Sequence, residues 1–61
     1  MSPEQRIEEA HGLWELCVVR VAAMAELLSY AEMQSPLLLQ AVKDERAAFI
    51  NWQKVSREAV A

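Results

Sequence analysis

Glu8 and His11 stand three residues apart in the run Glu8-Glu9-Ala10-His11. This Glu-x-x-His spacing lets one helix face offer a carboxylate and an imidazole to a di-iron centre. A dimer would hold two such pairs, and a second helix would have to add an inward glutamate. Glu58 lies at about the right level for that, and Glu45 does not. Four residues near the open end of a hairpin are a weak metal motif, and an exposed histidine beside acidic neighbours is the commoner arrangement. No metal and no cofactor are therefore expected. His11 and the single cysteine, Cys17, are six positions apart, about 240° around a helix, so one chain cannot bring both to one ion. Cys17 falls instead among Trp14, Val18 and Val21, where a thiol acts as a small hydrophobe. With one histidine, one cysteine and a single glycine, nucleophilic and phosphoryl-transfer chemistry lack material, and a non-catalytic protein is expected.

Two other groupings could bind rather than react. Trp14 and Trp52 could frame a small pocket with Asn51 and His11, although two large aromatics at helical spacing more often pack in a core. Lys43, Arg46, Lys54 and Arg57, with Ile50 and Gln53 between them, fall along one outer strip of a helix. Doubled in a dimer, such a strip can meet phosphates across a nucleic-acid groove. Asp44, Glu45 and Glu58 dilute it, and four cations on a solvated helix are ordinary.

These residues are positioned by helices. Ser2-Pro3-Glu4-Gln5 carries a serine N-cap, proline at the first helical position and glutamine where a capping box needs it. Ser35-Pro36 repeats the first two elements without the box, because Leu38 takes the third position, and no further similarity links the halves. The first helix is expected over about residues 3–30. Its apolar seam is Ile7, Ala10, Trp14, Cys17, Val21, Met24 and Leu28, spaced three and four in alternation. Gly12 interrupts it, either to allow a close backbone approach or kink, or as a tolerated exception. A turn is expected over about 31–35. The second helix, about 36–58, has the seam Leu38, Val42, Glu45, Phe49, Trp52, Val55 or Ser56, and Ala59. Alternation of period two is missing, which argues against strands.

A short link between long helices makes them antiparallel neighbours. Such pairing places Leu28 by Leu38, Met24 by Val42, Trp14 by Trp52 and Ile7 by Ala59. It also sets Glu45 level with Arg20, and an ion pair between them at the seam edge is expected. Residues 1–34 carry a net −4 and residues 35–61 a net +1, which mildly favours the pairing.

The chain has 61 residues, 54% of them hydrophobic and 25% charged. That is too apolar for disorder and too short for more than one domain. A single core this small seldom supplies more than about 3–5 kcal/mol without a disulfide, a metal or a partner chain. One cysteine cannot close an internal disulfide. The seam leaves a second apolar stripe on the first helix, Leu13, Leu16, Val19, Ala23, Leu27 and Tyr30, which a lone hairpin would expose. The expected fold is therefore all-α, one antiparallel two-helix hairpin that dimerises into a four-helix bundle. Leu13–Leu28 is interrupted by Glu15, Arg20 and Glu26 and is not a membrane span. With no signal segment and a lone thiol, a cytoplasmic location is expected. The function expected is protein–protein interaction, as an adaptor, regulatory subunit or stoichiometric inhibitor working as a homo-oligomer through the helix-one stripe. The alternative is binding of nucleic acid or another anionic ligand through Lys43, Arg46, Lys54 and Arg57.

Overall fold

The computed structural model describes residues 2–28 and 35–60, with the backbone alone at Val60. Two helices account for nearly all of them: α1 (Pro3–Leu27) and α2 (Pro36–Val60). They pack against each other as a hairpin, in a rod 45 × 14 × 13 Å. The expected turn at 31–34, together with Ser29 and Tyr30, lies outside the described residues.

The start of α1 follows from its capping chemistry. The Gln5 amide donates to Ser2 Oγ at 3.1 Å, and the Ser2 amide donates back to Gln5 Oε1 at 2.9 Å, a complete capping box. Pro3 removes an amide that would otherwise be orphaned. Glu4 adds a negative charge at the positive end of the helix dipole. At α2 the Leu38 amide donates to Ser35 Oγ at 3.3 Å, a cap without a box. The end of α1 comes earlier than its periodicity suggests. Leu28 is already extended, with φ −91° and ψ 140°, so the helix stops two or three residues short of Ser29–Tyr30.

The seam of α1 is as expected. Ile7, Trp14, Cys17, Val21, Met24 and Leu28 are half-buried and Ala10 is buried. The seam of α2 differs in register. Ala41 is 2% exposed while Val42 is 41% exposed, so the line runs Leu38, Ala41, Glu45, Ala48, Trp52, Val55, Ala59. Small alanines sit where the backbones approach, and Phe49 is set to one flank. The arrangement is a heptad seam on both helices.

Antiparallel register is fixed by contacts along the whole rod. Arg6 Nη2 lies 3.6 Å from Glu58 Oε2 near one end, and Arg20 Nη2 donates to Asp44 Oδ2 at 2.8 Å towards the other. Between them, Trp14 stacks on Trp52, with ring centroids 5.2 Å apart and planes inclined by 12°. Phe49 leans on Trp14 at 5.3 Å, and His11 meets the edge of Trp52 at 4.7 Å. The expected Glu45–Arg20 pair is replaced. Glu45 accepts a 2.8 Å hydrogen bond from the Trp14 indole N–H, and Arg20 takes Asp44. A part-buried indole N–H needs an acceptor, and the carboxylate on the facing seam supplies it.

Gly12 serves neither a close approach nor a crowded contact: a Cβ built there meets nothing within 4 Å. Gly12→Ala is therefore expected to stabilise the hairpin by roughly 0.5–1 kcal/mol through helix propensity and the unfolded chain. Thermal unfolding followed by circular dichroism checks this, and a lower melting temperature in the variant would contradict it.

Candidate functional site

The side of α1 next to the seam carries a line of residues at heptad spacing: Leu13, Leu16, Arg20, Ala23 and Leu27. All five are exposed, with Leu16 at 69% and Leu27 at 84%. Val19 is also exposed and lies beside this line towards the outer face of α1. Tyr30, the last residue expected in the stripe, lies outside the described residues. From α2, Leu37, 75% exposed, extends the same surface near the Leu27 end. Leu37 belongs to this surface through the hairpin packing, because it shares a cleft with Arg20 and Met24.

Two clefts open on this side. One, of about 190 Å3, is lined by Arg6, Glu9, Ala10, Leu13, Asn51 and Val55. The other, of about 280 Å3, is lined by Arg20, Met24, Leu37, Gln40, Ala41 and Asp44. His11 groups with both tryptophans, at 5.7 Å from Trp14 and 4.7 Å from Trp52, whereas Asn51 lines a separate cleft. A broader groove of about 500 Å3 is lined by Phe49, Trp52, Gln53, Ser56 and Arg57.

The one polar cluster in the apolar line is Arg20, Asp44 and Gln40. Arg20 Nη2 and Gln40 Nε2 both donate to the Asp44 carboxylate, at 2.8 and 3.0 Å. The hydrogen bond from Gln40, followed by the one from Arg20, holds Asp44 below its ordinary pKa of 3.8. The unfolded chain then binds the proton more readily than the folded one. The contribution of Asp44 is complete above the unfolded value and is lost as pH falls through the lower folded value. The stability advantage of the native chain over Asp44→Asn is accordingly expected at pH 6 and should shrink below about pH 4. Denaturant titrations at both pH values check this, and an advantage that grows on acidification would contradict it.

The expected basic strip is also a surface feature. Lys43, Arg46, Lys54 and Arg57 are exposed on the side of α2 away from α1, with Leu39 and Ile50 among them. Among the described residues none of the four cations has a carboxylate partner within 4.0 Å. The Glu8–His11 pair is not drawn together. Glu8 is exposed, and His11 Nδ1 instead lies 2.7 Å from Glu15 Oε1 one turn on. Among the described residues no three His, Cys, Asp or Glu side chains gather as a metal would need. Cys17 is a half-buried free thiol on the seam. Among the described residues no helix is long and apolar enough to cross a membrane.

The area left open is large for the mass. The 6.9 kDa chain exposes 4835 Å2, whereas a compact monomer of that mass exposes about 4,000 Å2. The excess goes with the elongated 45 × 14 × 13 Å rod, whose surface is large for its volume. The buried hydrophobic side chains are only Ala10, Leu38 and Ala41 among the described residues. Comparison with protein-family models, with curated proteins and with solved structures returns no match.

Proposed function

We propose that this hairpin is a non-catalytic protein–protein interaction module that works as a homodimer, with its α1 face covered by protein. Within that class it acts as an adaptor, a regulatory subunit or a stoichiometric inhibitor, occupying another protein's surface. The observation that carries the reading is the apolar line Leu13, Leu16, Ala23 and Leu27 with Leu37, exposed in a chain that buries so little of itself. Contiguous apolar surface of a few hundred Å2 marks an interaction site, and covering it contributes several kcal/mol at ~25 cal/mol per Å2. The first partner is a second copy, because closed symmetric pairs are the commonest assemblies.

Mass action tests this reading. The melting temperature should rise between micromolar and hundredfold higher chain concentration, since association stabilises only the folded state. A melting temperature independent of concentration, with full helicity in dilute solution, would remove the basis for a dimer.

A second reading rests on the four cations of α2, which have no carboxylate partner among the described residues. Lys43, Arg46, Lys54 and Arg57 would contact phosphates of RNA or DNA, twice over in a dimer. Binding of a duplex RNA that weakens steeply with salt and is lost in Arg46→Ala/Arg57→Ala would favour it. Binding unchanged by those substitutions would rule the strip out.

A further inference from the structure

We infer that the outer face of α2 is a docking surface for an anionic lipid bilayer, on which the rod lies flat. One chain presents the whole face, so no dimer is required. Along α2, Leu39, Lys43, Arg46, Ile50, Lys54 and Arg57 recur every three or four residues, and all are exposed. At 1.5 Å per residue the line is about 27 Å long. On spacing alone Asp44, Glu45 and Glu58 dilute its charge, but the packing of the hairpin draws them away from it. Asp44 accepts from Arg20, Glu45 accepts from the Trp14 indole N–H, and Glu58 lies 3.6 Å from Arg6. Every carboxylate of α2 is thus engaged with α1. Among the described residues, the face opposite the seam keeps four cations and no acid.

The aliphatic members of the line select a bilayer over a nucleic acid. Leu39 and Ile50 are exposed in the same row as the cations, one before Lys43 and Arg46 and one after them. A phosphate backbone offers such side chains no apolar phase. The boundary between headgroups and acyl chains does, and it takes aliphatic side chains while neighbouring Lys and Arg reach up to the headgroups. The negative charge of the chain lies elsewhere. Glu8, Glu15 and Glu26 are exposed on the side of α1 away from α2. With helix axes about 10 Å apart, these carboxylates stand beyond the Debye length of about 8 Å from a surface under α2. Their repulsion of an anionic surface is therefore largely screened, although the chain as a whole carries a net −3.

Co-sedimentation of the intact chain with vesicles tests this. Phosphatidylglycerol vesicles are set against phosphatidylcholine vesicles, and duplex RNA is titrated at the same salt. The chain should pellet with the anionic vesicles and stay behind with the neutral ones. A cation near an anionic surface is worth about fivefold, so Arg46→Gln/Arg57→Gln should weaken partitioning roughly thirtyfold. Leu39→Gln/Ile50→Gln keeps the charge and should weaken it at least about tenfold, through lost burial. All four residues are exposed, so circular dichroism of both variants should match that of the parent. Equal pelleting with both kinds of vesicle, or with neither, would overturn the inference. So would duplex RNA bound more tightly than the anionic vesicles, with Leu39→Gln/Ile50→Gln unaltered in both, which would return the face to nucleic acid.

Discussion

Trp14→Ala is expected to abolish cooperative unfolding at 25 °C and to remove most of the helical circular dichroism of the chain. The Trp14 ring stacks on Trp52 at 5.2 Å, supports Phe49 at 5.3 Å and flanks His11 at 5.7 Å. Its indole N–H is also the donor to Glu45 on the facing seam. Truncating a large aromatic in a core costs about 3–5 kcal/mol, the same as the whole stability a core of this size usually supplies. Loss of the donor leaves the part-buried Glu45 carboxylate without its hydrogen bond, which adds to the cost. Trp14→Phe separates the two contributions. It keeps a ring against Trp52 and loses the N–H, so a drop of about 1.5–3 kcal/mol is expected, the worth of a hydrogen bond to a charged group. Urea titration of both variants measures this. Native-like stability in Trp14→Ala would show that the aromatic cluster does not hold the helices together.

The second large effect falls on association. Leu16→Glu/Leu27→Glu places four carboxylates per dimer on the α1 face. Each leucine withdrawn from an interface forfeits about 1.5–3 kcal/mol of burial, before any cost of desolvating the charge. Four positions therefore lose at least about 6 kcal/mol, or roughly ten-thousandfold in the dissociation constant. The variant should be monomeric at micromolar concentration, and its melting temperature should fall because the monomer must stand alone. A hairpin with no covering partner would respond otherwise. Both leucines are exposed in it, and exposed substitutions stay within about 0.5 kcal/mol. A variant that melts like the parent, at the same mass, would contradict an interface on this face.

The architecture was legible wherever local chemistry had a single solution. Ser2 and Gln5 form the capping box that their spacing calls for, and the α1 seam falls on every residue assigned to it. In α2 the pattern itself was ambiguous. Apolar residues occupy both 41 and 42, and both 48 and 49. Favouring the larger member selects Val42 and Phe49. The packing decides otherwise: Ala41 is buried on the seam while Val42 is exposed, and Phe49 lies to the flank beside Trp14. The partner of Glu45 was misjudged for a related reason. Pairing by opposite charge selects Arg20, but the part-buried indole N–H of Trp14 takes the Glu45 carboxylate, and Arg20 pairs with Asp44.

The candidate surface was only half legible. Leu13, Leu16, Ala23 and Leu27 can be read from helical spacing, as can the outer cations Lys43, Arg46, Lys54 and Arg57. The contribution of Leu37 and the place of Arg20 at the centre of the line depend on how α2 lies against α1. Periodicity within one helix carries no such information. Arg20 stands out only once the line is read as 13, 16, 20, 23, 27, with the polar residue kept in it.

Sedimentation equilibrium of the unmodified chain tests the central claim most directly. A second copy covering the α1 face predicts a species of about 14 kDa at micromolar concentration, twice the 6.9 kDa of the chain. A single species at the mass of one chain, stably helical across the concentration range, would contradict it.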